Sequence, residues 1–187
     1  KYLCLWKWSE QRKFWNYLRS DVVEVNRVDD TISFLKNGIV FYTSEVKSTE
    51  KLYVDTSLIT DGATLNNIEI NSSTIDISFT QEHKEIEVNG NNLKKVDGDD
   101  WSSGAFSNES ITKDGSVSTV VAETNTKRMI GFSTSDTNQK YSSVDYGLYL
   151  NSNGNIYAYE NGVNKGNFGT YLRSDVVEVN RVDDTIS

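Results

Sequence analysis

Aromatic and oxygen-bearing side chains in the second half of the chain are of the types that hold a sugar ring. Trp101 and Tyr141 offer flat apolar faces, and Asn125, Asp136 and Asn138 offer amide or carboxylate groups. Sugar sites stack a ring on an aromatic face and bind its hydroxyls through such polar groups. The residues therefore predict a glycan site at the loop that carries Asp136, Asn138 and Tyr141. Because Trp101 follows an acidic turn, an anchoring role in the core is its alternative.

Arg128 is a further candidate for ligand binding. It lies in an alternating run beside Met129 and Ile130, and a guanidinium group can clamp a ligand carboxylate with two parallel hydrogen bonds. A structural ion pair with Asp145 across a sheet is the alternative. The sequence leaves both roles open.

An acidic turn before Trp101 is the candidate metal site. Asp97, Asp99 and Asp100 could supply several of the six to eight oxygens that calcium requires, and a plain polar turn is the alternative. A single His83 and a single Cys4 do not make a transition-metal site or a pair of nucleophile and base. We therefore expect no cofactor, with calcium as the one possible ion.

Charge and composition narrow the classes of partner. The formal net charge is −8 and the chain has no proline and one cysteine. Nucleic acids and anionic membrane surfaces attract basic proteins, so we expect neither as a partner. No disulfide framework can form, and a packed core must supply the stability. The chain also lacks the run of about twenty apolar residues that membrane insertion by a helix requires.

Short alternating runs bounded by Gly, Asn, Asp and Ser predict an all-β fold. Turn signals every 8–12 residues favour an antiparallel β-sandwich or jelly roll. A meander is predicted over 22–28, 31–36 and 39–44, with Asn37-Gly38 as one of its turns. The other predicted strands are 51–55, 66–70, 74–80, 84–89, 92–96, 104–107, 115–124, 128–133, 144–150 and 155–160.

A duplicated string points to a tandem repeat. Residues 17–33 and 171–187 are the same seventeen-residue sequence, YLRSDVVEVNRVDDTIS, at an offset of 154 (171 − 17 = 154). Repeated modules of domain size in one polypeptide serve reach or avidity. We expect the two copies to compete for one place in a sandwich, so that one copy frays or pairs with a neighbouring chain.

Residues 1–16 differ from residues 155–170, which stand at the same place in the repeat. Suitable codons for residues 155–170, shifted by one nucleotide, translate as residues 1–16 if TGA is read as Trp6 or one A is a G there. We interpret residues 1–16 as a frame-slipped version of 155–170, with an authentic divergent N terminus as the alternative. The slip explains why Cys4 and three of the four tryptophans lie in this segment.

Several longer strings resemble a known module. The sequence is similar to the concanavalin A-like, SPRY-like lectin and glucanase jelly rolls that are repeated in large bacterial surface proteins of the adhesin type. The strings that carry the resemblance are ETNTKRMIGFS (123–133), VDYGLYL (144–150), IYAYENG (156–162), FGTY (168–171), FLKNGIVFYTS (34–44) and LYVDTSL with GATLNN (52–67).

The resemblance implies a module order in which this chain begins partway through one copy. Residues 17–70 then form the C-terminal part of one module, residues 71–83 the connection, and residues 84–187 the N-terminal part of the next. The repeat length is about 154 residues, from the offset between the duplicated strings.

The resemblance also implies a function. We expect a lectin-like module of a secreted or cell-surface adhesin, which binds extracellular glycan weakly and gains from tandem avidity. A stalk or filament without a ligand, assembled through neighbouring copies of the module, is the alternative. A hydrolase of this fold would need an E-x-D-x-x-E strand; Glu85 and Glu87 lack the third carboxylate, so we expect no enzyme.

Overall fold

The computed structural model describes most of the chain from residue 22 onward. The predicted frame-slipped segment and the Asn37-Gly38 turn lie outside the described residues. Within the described part, no helix is long and apolar enough to cross a membrane. The described residues are 22–28, 30–36, 39–70, 77–80, 83, 85–112 and 114–182.

The described chain is all-β, which confirms the predicted class. Its strands are joined by turns and loops, one of which contains a 3₁₀ turn, Tyr141–Ser143. The strands are β1 Val22–Val28, β2 Thr31–Lys36, β3 Ile39–Lys47, β4 Leu52–Leu58, β5 Thr64–Ile70, β6 Ile86–Asn89, β7 Asn92–Lys95, β8 Phe106–Ile111, β9 Gly115–Val120, β10 Arg128–Ser133, β11 Tyr146–Leu150, β12 Asn155–Glu160, β13 Val163–Thr170 and β14 Val176–Val182.

The described strands form two sheets. The large sheet has the order β3-β2-β1-β14-β9-β5-β7-β6, and the small sheet has the order β13-β12-β11-β10-β4-β8. Neighbouring strands pair antiparallel, except that β1 and β14 pair in parallel. The inner faces of the two sheets share one hydrophobic core, so the arrangement is sandwich-like.

Alternation along each strand decides which side chains enter the core. In β11, Tyr146, Leu148 and Leu150 are in the core, while Tyr149 between them points to the other face and is half-buried. Successive side chains of a strand point to opposite faces, so this pattern fixes both faces of the small sheet. The alternation that places residues in the core therefore also decides which residues lie on the outer face of the sheet.

Four predicted strands, 22–28, 31–36, 128–133 and 155–160, have the bounds that the structure shows. Strand β13, in contrast, was missed by the sequence analysis. It contains Gly166 at φ 136° and Gly169 at φ 124°, and its pairing with β12 has two register shifts. Glycine is unfavourable in strands, and in this strand it permits the irregular pairing.

The segment between the two predicted half-modules is partly described. Phe79 forms a bridge with Ser107, and Ile77 and Phe79 are buried in the core. The structure describes residues 77–80 of the predicted strand 74–80. Within these residues the strand is reduced to the single bridge at Phe79.

Strands from residues 22–70 and from residues 85–182 interleave. β4 lies between β10 and β8 in the small sheet, and β5 lies between β9 and β7 in the large sheet. Each of these strands pairs on both sides with strands from the second half of the chain. The two stretches therefore form one folded unit around one core.

The duplicated strands meet in the middle of the large sheet. β1 and β14, which have the same sequence, pair in register, with Val22 opposite Val176 and Arg27 opposite Arg181. Both also reach the same two neighbours, since β1 pairs with β2 and β9, and β14 pairs with β9 and β2. We call the gap between β2 and β9 the shared slot.

Gly131 and Gly147 face each other across β10 and β11. A Cβ at Gly131 would overlap the carbonyl oxygen of Tyr146. We predict that Gly131→Ala lowers the free energy of unfolding by more than about 2 kcal/mol, because overpacking against backbone forces strands apart. Urea denaturation measures the change.

The control is Gly90→Ala, at a turn where a Cβ meets nothing within 4 Å and φ is +60°. It should cost about 1 kcal/mol, from the left-handed conformation alone. Equal losses for the two variants would contradict the close approach of β10 and β11.

Candidate functional site

The outer face of the small sheet carries the candidate site. Met129, Tyr149 and Tyr159 come from three adjacent strands, β10, β11 and β12. Each is next to a core residue in sequence: Met129 precedes Ile130, Tyr149 lies between Leu148 and Leu150, and Tyr159 follows Ala158. The three side chains therefore point away from the core and form part of one surface.

Four aromatic rings surround a small cleft on this surface. The Trp101 ring lies 5.2 Å from Tyr141 and 5.6 Å from Tyr149, measured between ring centroids. Tyr159 is edge-on to Tyr141 and to Tyr149, at 5.8 Å in each case. The cleft has a volume of about 190 Å³, and we call it the aromatic cleft; it is lined by Trp101, Met129, Tyr141, Tyr149 and Tyr159.

Tyr141 reaches the cleft from a loop, residues 134–145, that lies against the outer face. Ser57 of β4 donates a hydrogen bond from its hydroxyl to the Gln139 carbonyl, at 2.6 Å. At the end of the loop, the Asp145 carboxylate accepts hydrogen bonds from the Thr134 amide and hydroxyl, at 2.8 and 3.0 Å. These bonds hold the 3₁₀ turn, and with it the Tyr141 ring, in position.

Trp101 is positioned by a buried lysine. Lys95 is fully buried, and its ammonium group donates to the Asp100 carbonyl at 2.9 Å and to the Asp100 carboxylate at 3.1 Å. Next to the ring, Ser103 donates its hydroxyl to Glu85, at 2.7 Å. The chain on both sides of Trp101 is thereby held in place, and the ring packs against Tyr141 and Tyr149.

The Tyr149 and Tyr159 phenols keep their protons at physiological pH. Burial raises the pKa of Tyr149 to about 12, and burial also raises the pKa of Tyr159. The Tyr149 hydroxyl lies 3.2 Å from the Asn151 side-chain oxygen, and Asn164 donates to the Tyr159 hydroxyl at 3.3 Å. Neutral hydroxyls both donate and accept hydrogen bonds, as a sugar requires of its partners.

Asp55 lies on the same outer face, at β4, and is 2% exposed. Ser133 donates its hydroxyl to the Asp55 carboxylate at 2.7 Å. Burial is the main cause that raises the pKa of Asp55 to about 8, and the charges of Asp136 and Asp145 raise it further. The side chain therefore holds a proton at neutral pH where an exposed aspartate would not.

The structure brings together some of the residues that the sequence analysis proposed for ligand binding. Trp101 and Tyr141 form one wall of the aromatic cleft. Asp136 and Asn138 are exposed on the loop that carries Tyr141, and the Asn138 side chain accepts a hydrogen bond from the Lys140 amide at 2.9 Å. Asn125 is exposed in a different loop, between β9 and β10.

Arg128 is the candidate that the structure places elsewhere. It is fully buried and shares the inner face of β10 with Ile130, away from the cleft. The structure shows the alternative role, a structural ion pair, but with Glu123 and not with Asp145: the guanidinium lies 3.4 Å from the Glu123 carboxylate and donates to the Glu123 carbonyl at 2.8 Å. It also lies 5.6 Å from the centre of the Tyr171 ring.

The predicted calcium ligands do not converge on one point. Asp99 accepts a hydrogen bond from the Asp61 amide at 2.8 Å, and Asp100 is bound by Lys95 at 3.1 Å. Hydrogen bonds from Ser102 and Lys95 lower the pKa of Asp100. Within the described ranges, no group of three or more His, Cys, Asp or Glu side chains is arranged to hold a metal ion. A calcium ion here would have to displace the Lys95 ammonium from Asp100.

Met129, Tyr149 and Asp55 were missed as residues of this surface. Tyr149 and Met129 each alternate with core residues, so their strands show that they face away from the core, but not that neighbouring strands bring them together. Asp55 follows a buried valine in the string LYVDTSL, and its sequence neighbours do not reveal that a loop covers it.

Comparisons with known protein families, with curated proteins and with solved structures find no significant match to this chain. The candidate site therefore rests on its geometry.

We predict that Asp55→Asn removes a pH dependence of stability. The pKa of Asp55 is raised from 3.8 to about 8, so the folded protein keeps a proton that the unfolded chain releases above about pH 4. This contribution is full in acid and declines by about 1.4 kcal/mol per pH unit until about pH 8. The variant should gain stability relative to the unchanged chain over that range.

Chemical denaturation at several pH values measures the difference in unfolding free energy between the two proteins. Thr137→Ser, at an exposed position on the covering loop, changes no titratable group and serves as the control, so its difference from the unchanged chain should not vary with pH. A flat difference between Asp55→Asn and the unchanged chain would show that Asp55 is ionised in the fold.

Proposed function

We propose that the protein is a glycan-binding module that does not catalyse a reaction. The observation that carries the proposal is the aromatic cleft, where rings from two strands and two loops surround one concave site. Sugars present apolar C–H faces that stack on aromatic rings, and their hydroxyls bind neutral phenols and amides. The cleft provides both kinds of contact.

The size of the cleft limits what it can hold. Its volume of about 190 Å³ is below the range of about 300–1,000 Å³ that is usual for sites of drug-sized ligands. A single sugar ring, or the end of a longer glycan, is the ligand of matching size. One ring makes few contacts, so each site binds weakly.

Weak single sites fit a repeated module. The duplicated seventeen-residue string supports a tandem repeat of a lectin-like jelly roll, in which several copies bind one glycan-covered surface and avidity raises the overall affinity. The net charge of −8 fits an extracellular or cell-surface setting, where acidic modules resist unspecific association.

A second candidate function is a structural stalk or filament assembled by strand pairing between modules. The observation that favours it is that the two copies of the duplicated strand reach the same neighbours in the large sheet. This candidate needs no ligand in the cleft, so a glycan assay separates the two.

We predict that the purified chain binds a subset of glycans on an array, and that Trp101→Ala and Tyr149→Ala weaken this binding at least tenfold. Loss of one stacking ring costs about 1.4 kcal/mol or more, which is tenfold in affinity. Calorimetric titration of the best glycan measures the affinity, and circular dichroism checks the fold.

Tyr53→Ala is the matched control. Tyr53 is an aromatic residue on the same face of β4 as Asp55, and it stacks on Phe106 at 4.8 Å, outside the cleft. Its removal should leave affinity unchanged. Equal weakening by all three variants, or no glycan bound, would count against the cleft as the site.

A titration with calcium and one with chelator test the predicted ion.

A further inference from the structure

The shared slot is occupied by two strands at a point where it has room for one. Asn26 of β1 pairs with Ser33 of β2 and with Ser116 of β9. Asn180 of β14, the same residue of the duplicated string, pairs with the same Ser33 and Ser116. A residue that pairs with both β2 and β9 spans the gap between them, so the gap at this level is one strand wide.

The outer sides of the slot are already paired. β2 pairs with β3 on its other side, and β9 pairs with β5 on its other side. A strand has two hydrogen-bonding edges, so β2 and β9 each have one edge left for the slot. One strand can bond to both edges, and a second copy then has no place in the sheet.

Interior side chains in the slot come from both copies. Val177 of β14 is fully buried in the core. Arg27 of β1 is fully buried, and its guanidinium donates to the Ser48 and Glu50 carbonyls at 2.6 and 2.8 Å. The two copies have the same sequence, so each carries both the valine seen at Val177 and the arginine seen at Arg27. A single copy can therefore supply both interior side chains of the slot.

We propose that the shared slot accepts the duplicated strand of a second copy of this chain, so that the chain carries one donor strand more than its own slot can hold. The donor would bond antiparallel to β2 and β9 through its main chain, as in other cases of strand addition. Exchange of an identical element between copies is a low-cost route to assembly. This proposal deepens the second candidate function, strand pairing between modules, and is independent of glycan binding.

The register of the exchanged strand is fixed by its sequence. Equivalent residues of the two copies have the same partners, since Arg27 and Arg181 both pair with Gly115. A slip of one residue would turn the valine and the arginine to the wrong face of the sheet. The slot thus selects this strand over an arbitrary extended segment.

An acceptor chain with an empty slot tests the proposal. The full chain with both Asn26→Pro and Asn180→Pro has two disabled copies, because proline cannot complete the bonds of a central strand. Mixed with the unchanged chain, which has one spare copy, the acceptor should form a one-to-one complex in light scattering after size exclusion.

The single variants Asn26→Pro and Asn180→Pro are matched controls, since each keeps one working copy and fills its own slot with it. They should bind the acceptor at least tenfold more weakly than the unchanged chain does. Equal binding by all three donors, or binding by none to a folded acceptor, would overturn the proposal.

A second measurement covers an acceptor that fails to fold. In a Cys4→Ser background, one chain carries Ser116→Cys and another carries Asn180→Cys. Directly opposed residues of antiparallel strands have Cα atoms about 4.5–5.5 Å apart, which suits a disulfide. The mixture should give a crosslink between the two chains under mild oxidation.

The crosslinking control replaces Asn180→Cys with Asn164→Cys, at an exposed position of β13. It should give at least tenfold less crosslinked product. Equal crosslinking by the two cysteine positions would show that collision, and not insertion into the slot, joins the chains, and no crosslink from Asn180→Cys would overturn the proposal.

Discussion

Strand β10 is buried on both of its faces, and much of the structure depends on that burial. All six of its residues, Arg128–Ser133, are buried. Ile130 and Phe132 enter the core, while Met129 lies under the aromatic cleft and Ser133 bonds to Asp55. The outer face of the strand is covered by the loop over residues 134–145 together with the other rings of the aromatic cleft. Core packing and formation of the candidate site are therefore coupled through one strand.

Much of the fold could be predicted from local patterns. Alternating runs such as that around Tyr149, and Asn-Gly turns such as Asn161-Gly162, where both residues have positive φ, define most strands and their direction. Strand β13 could not be predicted from its own residues. Its glycines fit a strand only because its pairing with β12 is irregular. The same limit applies to Asp55, whose protonation depends on a covering loop distant in sequence.

The candidate site was predictable in part. Trp101 and Tyr141 were chosen for their residue types, and the structure places their rings side by side. Arg128 was chosen on the same grounds but points to the opposite face of its strand. Its position in the alternation, together with Ile130, indicated the inner face. Chemical type identifies candidates, and strand periodicity decides which of them share a surface.

Buried cations hold distant segments together in this acidic protein. Arg27, Lys95 and Arg128 are each fully buried, and each guanidinium or ammonium group donates to main-chain carbonyls: Ser48 and Glu50 for Arg27, Asp100 for Lys95, and Glu123 for Arg128. Carbonyl oxygens solvate a buried cation, which would otherwise be costly to remove from water.

The place of the strand in the shared slot has a mechanical consequence. A strand there is paired along both of its edges, with β2 on one side and β9 on the other. Tension along the strand axis would therefore slide it past both neighbours, so the interstrand contacts carry the load together and do not open one after another. An antiparallel pair pulled from adjacent ends would unzip. The strand in the shared slot is thus oriented to resist tension along the direction of the chain.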